Sequence, residues 1–387
     1  MSVQNGVLLI ADITGYTAFL SQSELEHAAD SLRSLLHLLI EHHKPPMVIS
    51  RLEGDAVFSY TQPGGFLQGQ TIVEMIETTY VAYRRALDLM ILNTTCTCRA
   101  CGNLSNLDLK FFVHYGTFMI QSLGAYSELI GSDVNRLHRL TKNSATEKTG
   151  IRAYVLYTQA AIEGLGIAEM AEAMVPHAER YEHLGEVTTY VQDMHPIWER
   201  ERNRVHTVVQ PEDALLSVEQ DFPVETALMW DYVTKPEYKA ILSNSESARA
   251  DQRINGRIGP GTTYYCAHGK SMSRQIIVDW QPLAEYTFTS EPFMGMYVLT
   301  TTRLKPTEDG TRVSVLVSKP RGGSRFGRGV AAAILLAAAK PGVQKGIRNL
   351  YAQIEKDTAD RPVVRPAAVR IPPQAIEDAV AQSLEVE

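Results

Sequence analysis

Two aspartates, an asparagine–arginine pair and a three-cysteine loop are the residues here whose types and spacing suit chemistry. Asp12 closes an apolar run in GVLLIADITGY, and Asp55 sits at a tight turn in RLEGDAVFSY. A carboxylate at a sheet edge suits Mg²⁺ or Mn²⁺, hard ions that take oxygen ligands and leave positions for substrate phosphates. Two such carboxylates suit two ions and phosphoryl chemistry, where attacking and leaving oxygens both need stabilisation. Each aspartate also has a plainer role open to it, Asp12 as a cap on the following turn and Asp55 as a hairpin residue beside glycine. In GSDVNRLHRL, Asn135 and Arg139 stand four apart and share one face of a helix. There an amide can orient a sugar, and a guanidinium fork can grip phosphate oxygens two at a time. The alternative is a solvated helix face. In CTCRAC, Cys96, Cys98 and Cys101 could bind Zn²⁺ with one further ligand, His114 being the candidate. The alternative is a reduced, partly buried loop.

The elements that must position these residues are legible in the pattern. Residues 6–13 read as a buried strand, and leucines at helical spacing follow from 23 to 43 until Pro45-Pro46 stops them. Residues 47–52 and 56–60 read as strands joined at Glu53-Gly54-Asp55, and 70–92 as a second long helix. A strand pair at 107–115 and 117–122, a helix at 134–141 and strands at 153–157 and 187–192 complete this half. Strands and helices that mix without strict alternation predict an α+β fold. Charged residues from Trp198 to Arg204 read as linker. Beyond it come a strand at 215–221, a short helix, strands between 261 and 317, and a long helix over 329–357 interrupted at Pro341-Gly342. The prolines and charges after Arg361 predict disorder.

In order and separation, ADITGYT, RLEGDAV and ELIGSDVNRLHRL together resemble the catalytic domain of class III nucleotidyl cyclases over about residues 7–191. The resemblance implies a ferredoxin-like cyclase-type domain at 1–197 and a linker at 198–212. It implies that Asp12, Ile13 and Asp55 hold two Mg²⁺ or Mn²⁺ ions, that Asn135 positions the ribose, and that Arg139 stabilises the transition state. Arg51 and Glu128 fall where the family reads the base. Adenylate cyclases commonly have Lys and Asp there, so the base is open, pyrimidines included. The family often places a triphosphate-binding Lys near residues 181–189; YEHLGEVTT has none, and Arg180 is the nearest cation. In this family the metal carboxylates and the Asn/Arg pair come from opposite subunits, so the resemblance also implies a homodimer.

Residues 213–357 resemble the START-like helix-grip superfamily of polyketide cyclases and lipid carriers. The likeness rests on FPVETALMWDYVTKPEYKAIL, GPGTTYYCAHG, IIVDWQPLAEYTF and the long last helix, with 358–387 as a disordered tail. It implies an antiparallel sheet gripping that helix around a small hydrophobic ligand, with Trp230, Trp280, Met294, Met296 and Tyr297 as candidate lining, or else as ordinary core.

Composition bounds the rest. A chain of 387 residues with 44% hydrophobic residues has material for two cores, and its net charge of −7 gives no case for nucleic acid. Four cysteines are no secreted disulfide framework, and the opening residues lack a secretion signal, so the expectation is a cytoplasmic protein. The apolar run near VAAAILLAAA spans about ten residues, short of the roughly twenty that cross a bilayer. Basic residues flanking it could touch anionic lipid; a packed helix with a solvated rim is the plainer expectation. Two functions follow: cyclisation of a nucleoside triphosphate, tuned by a ligand of the second domain, or a non-enzymatic sensor built on a degenerate cyclase fold.

Overall fold

The computed structural model describes all residues except 1–2, 22–24, 62–66, 94–97, 124–125, 183, 291–295 and 360–387. The described residues divide into two compact units, the first ending at Arg204 and the second beginning at Val205.

Unit 1 is built on one mixed sheet. Strand β1 (Val3–Thr14) is followed by α1 (Tyr16–Ser21) and α2 (Leu25–His43), and β2 (Met47–Glu53) and β3 (Ala56–Thr61) form a hairpin. Helix α3 (Gly69–Asn93) and the short α4 (Arg99–Asn103) precede β4 (Asp108–Leu123) and β5 (Tyr126–Ile130). Then come α5 (Ser132–Leu140), α6 (Ala145–Thr149), β6 (Tyr154–Thr158), α7 (Gln159–Leu165), α8 (Ala168–Ala171), β7 (Val175–Tyr181), β8 (Gly185–Asp193) and α9 (His195–Arg202). The sheet order is β2-β3-β1-β4-β6-β8-β7, with β5 paired to β4. Val7 to Ala11 are all buried, because both faces of β1 are covered. Leu8, Ile10, Phe58 and Phe112 on one face pack with Val134, Leu137 and Leu140 of α5.

Three expectations change here. The break foreseen at Gly116 is absent: β4 runs unbroken opposite β1 from Asp108 to Met119. Gly116 instead permits close approach, since a Cβ there would meet the Asp133 carboxylate at 2.5 Å. A further strand, β7, completes a hairpin with β8. Residues 198–202, read as linker, belong to α9, where Pro196 starts the helix and Ile197 and Trp198 are buried.

Unit 2 contains β9 (Ala214–Phe222), α10 (Thr226–Thr234), α11 (Pro236–Leu242) and β10 (Ser247–Asp251). Strands β11 (Thr263–His268), β12 (Ser271–Gln281), β13 (Glu285–Ser290) and β14 (Met296–Tyr297) follow, then β15 (Leu299–Thr307), β16 (Gly310–Ser318), β17 (Arg321–Gly322) and α12 (Arg325–Thr358). Seven strands form an antiparallel sheet in the order β10-β11-β12-β13-β15-β16-β9, while β14 and β17 pair separately. Ile347, Leu350 and Ile354 of α12 join the core of this unit with Trp230, Trp280 and Tyr286. The interruption expected at Pro341 does not occur. Ser324 caps α12 by accepting from the Gly327 N–H, and the helix runs through Pro341. The first half of α12 leaves Phe326, Val330, Ile334 and Leu336 exposed, and by length and composition alone the helix is long and apolar enough to cross a membrane.

Candidate active site

The metal-type carboxylates come together through strand register. Asp12 lies opposite Ala56 on β3 and Lys110 on β4, and directly opposed residues share a face. Asp12 therefore extends the row Leu8, Ile10 on the face that α5 covers. Asp55 follows Gly54, whose φ of +64° makes the β2–β3 turn. Its carbonyl accepts from the Ile13 N–H at 3.3 Å, which ties the turn to the end of β1. Burial, and then the charge of Asp12, push the Asp55 carboxyl up to about 7. Burial also raises Asp12, with Lys110 opposing the rise. These are two desolvated carboxylates in mutual repulsion, the condition that a divalent cation relieves. Asp12, Asp55 and the backbone at Ile13 are thus suited to hold it. Among the described residues no group of three or more His, Cys, Asp or Glu stands ready for a metal.

Lys110 adds a cation that no motif marks. Its ammonium stands 5.1 Å from the centroid of the Tyr154 ring. Burial lowers its pKa, Asp12 opposes this, and Arg152 contributes in the lowering direction. A lone lysine in the apolar stretch DLKFFV was the signal available.

Arg51 and Glu128 also meet. Arg51 Nη1 donates to Glu128 Oε1 at 2.9 Å, Nε donates to Glu53 Oε1, and Nη2 lies 3.5 Å from His138 Nε2. His138 Nδ1 is 3.2 Å from Glu53 Oε2, and its ring packs edge-on against Phe58. Burial alone would raise the Glu53 pKa, but hydrogen bonds from His138 and Arg51 prevail and lower it. A bulge makes this cluster possible. Ile49 pairs with Ser59 and Arg51 with Phe58, leaving Ser50 as the extra residue, so Arg51 joins Phe58 on the α5 face. Glu53 and His138 lie inside the motifs RLEGDAV and GSDVNRLHRL but were not foreseen, because each partners the other from a different element.

Helix α5 is pinned by its first turn. Asp133 Oδ2 accepts from the Thr117 N–H at 2.8 Å and from its hydroxyl at 3.2 Å, and Oδ1 accepts from Arg136 at 2.9 Å. His114 Nε2 faces Asp133 Oδ1 at 3.3 Å, and its Nδ1 is 2.9 Å from the Thr158 hydroxyl. The His114 ring, named as a candidate fourth ligand beside the cysteines, is buried between β4, β6 and α5. Cys98 caps α4 by accepting from the Cys101 N–H at 3.4 Å, and Cys96 lies outside the described residues. Asn135 and Arg139 are exposed on α5, and neither side chain has a hydrogen bond or ion pair among the described residues. Among the described residues no hydrogen bond or ion pair joins them to Asp12 and Asp55. Arg180 is likewise exposed on β7, opposite Glu186.

In unit 2 the candidate pocket residues separate. Trp230 and Trp280 are buried against each other, with ring centroids 4.8 Å apart. Met296 and Tyr297 form the separate β14, Tyr297 partly exposed, and Met294 lies outside the described residues.

A family model described as a protein of unknown function, DUF2652, matches residues 32–149. Uncharacterized protein Rv2561/Rv2562 of Mycobacterium tuberculosis is 26% identical over 163 residues, 42% of this chain and 73% of that protein. Among solved structures, the adenylyl cyclase CyaB of P. aeruginosa is 16% identical with a TM-score of 0.37, over 49% of this chain and 95% of that one. The guanylyl cyclase Cya2 is 12% identical with a TM-score of 0.36, over 49% and 92%. Protein MLL2253 of Mesorhizobium loti is 16% identical with a TM-score of 0.28, over 37% and 97%.

Proposed function

We propose that unit 1 is a metal-dependent nucleotidyl cyclase that works as a homodimer. The observation that carries this reading is the pairing of Asp12 and Asp55 at the end of β1, two crowded carboxylates whose pKa values are both raised. The reaction joins the ribose 3′-oxygen to the α-phosphorus and breaks the bond from that phosphorus to the bridging oxygen, releasing pyrophosphate and the hydroxyl proton. When bound, the metal ions supply Lewis-acid charge stabilisation. Lys110, facing the same end of the sheet, adds positive charge where the triphosphate collects it. Asn135 orients the ribose, and Arg139 stabilises charge on the five-coordinate phosphorus. Both are exposed on α5, and, as in the family the sequence resembles, they serve the site of a second copy. Arg51 and Glu128 read the base, with Glu53 and His138 holding the guanidinium in place.

A second reading, a nucleotide-binding or dimerising module without catalysis, is favoured by one feature: the β7–β8 hairpin has no lysine, and its described residues offer the exposed Arg180 as the cation. Incubation with each of the four nucleoside triphosphates and Mn²⁺, with products identified by mass spectrometry, separates the two. A cyclic nucleotide from any of them supports the cyclase. No product from all four leaves the sensor.

A further inference from the structure

The two halves of α12 face different surroundings. Ile347, Leu350 and Ile354 hold the second half in the core of unit 2. A Cβ at Gly346 would collide with the Leu242 carbonyl, so this half is seated closely against α11. The first half carries an apolar stripe that nothing in its unit covers. On a helix of 3.6 residues per turn, Phe326, Val330, Ala333, Ile334 and Ala337 fall within about 100° of one another. All five are exposed, Phe326 by 84% and Ile334 by 57%, while Ala331, Ala332 and Leu335 on the opposite side are partly covered. An amphipathic helix ordinarily turns such a stripe toward the core, and here it faces water. The packed helix with a solvated rim is thus found in the second half of α12 alone.

The charge around the stripe selects its partner. From Lys319 to Arg348 the sequence has seven lysines and arginines and no acidic residue, in a chain of net charge −7. Arg321 and Arg325 are exposed before the stripe and Lys340 after it, and none of the three has an ion pair among the described residues. Cations bracketing an exposed apolar stripe match an anionic lipid surface, where the apolar groups enter the headgroup boundary and the charges stay among the headgroups. The same charges disfavour a second copy on this face, since two such helices side by side set like charges together. Length decides how the helix meets the lipid. Residues 325–339 span about 22 Å at 1.5 Å per residue, short of the roughly 30 Å of hydrocarbon in a bilayer. With its second half held in the core, the helix lies along the surface and does not cross. Tyr297, 39% exposed and paired with Arg321, adds an amphipathic ring beside the start of the helix.

We propose that the exposed face of α12 over residues 326–337 docks unit 2 on an anionic lipid bilayer, with Arg321, Arg325 and Lys340 on the headgroups. The inference does not depend on the cyclase reading of unit 1. The test is co-sedimentation of the full chain with vesicles of phosphatidylcholine alone and of equal parts phosphatidylcholine and phosphatidylglycerol, at low and high salt. The protein binds the anionic vesicles about tenfold more tightly or better, and salt weakens the binding. Ile334→Glu and, separately, Phe326→Ser each reduce it about tenfold and keep the parental melting curve by circular dichroism, because both positions are exposed. The second variant decides should the first fail to fold. Arg321→Ser combined with Arg325→Ser removes the preference for anionic vesicles. No binding to the anionic vesicles, equal binding to both kinds, or undiminished binding by a folded Ile334→Glu protein overturns the proposal. A drop in mass by light scattering in Ile334→Glu, with no vesicle binding by the parent, assigns the face to a second copy and overturns it too.

Discussion

Replacing Asp55 by asparagine tests the carboxylate pair through stability and catalysis at once. Burial and the neighbouring Asp12 charge move this carboxyl from 3.8 to about 7. Three units at about 1.4 kcal/mol each make roughly 4 kcal/mol the upper bound. The sign follows from linkage. A folded-state pKa above the unfolded value gives stability that is full below about pH 4 and lost as pH rises through about 7. In EDTA at pH 8 the parent therefore carries an ionised, crowded Asp55, and the variant does not. Allowing for water at the exposed turn, Asp55→Asn is more stable by about 2–4 kcal/mol, a gain of roughly 5–10 °C in the melting transition of unit 1. At pH 5 the gap shrinks to less than half, because the folded parent is then largely protonated. Added Mn²⁺ raises the melting temperature of the parent and leaves the variant nearly unmoved. Cyclic-nucleotide formation falls on the order of a thousandfold in the variant. Differential scanning calorimetry with and without EDTA, beside the product assay, reads all of this. A variant no more stable than its parent at pH 8 refutes the crowding. A variant as active as its parent refutes the catalytic assignment.

The shared site predicts complementation: Asp55→Asn and Arg139→Ala proteins, each inactive alone, recover about a quarter of parental activity when refolded as an equal mixture, since half the dimers then carry one intact site. No recovery, with heterodimers shown by native mass spectrometry, rules out sites built across two chains. His43 is fully buried, and burial, then His42, drive its pKa down to about 3, so its contribution is intact above about pH 6.5 and is lost as pH falls. In an Asp55→Asn background, lowering pH from 7 to 5 costs about 2 kcal/mol by urea titration. A further His43→Phe change removes that slope, and an unchanged slope places the lability elsewhere. Gly116→Ala drives a Cβ to 2.5 Å from Asp133 and displaces the first turn of α5. Its cost is about 1–3 kcal/mol with loss of activity, and a parental melting temperature and rate would show the contact to be slack.

Much of unit 1 was legible in the chain. The apolar run into Asp12, the leucine spacing stopped at Pro45-Pro46 and the turn at Gly54-Asp55 each obey a local rule, and local rules act over a few residues. The Asn135 and Arg139 pair is also local, four residues on one helix. Gly116 misled, because a glycine reads as a break when its use is to admit another element. Trp198 misled too, since charge around it hid a buried helix face.

The chain's local order carries the identity and spacing of the groups, Asp12, Asp55, Asn135, Arg139, Arg51 and Glu128, and the periodicities of the elements that hold them. Which of them meet is set by strand pairing and helix packing. Pairing register puts Lys110 opposite Asp12, a bulge at Ser50 turns Arg51 toward Glu128 and His138, and α11 buries Lys239 among rings of β11 and β13. Burial and charge–charge repulsion depend on distances between residues remote in sequence, and those distances exist only once the sheets have closed.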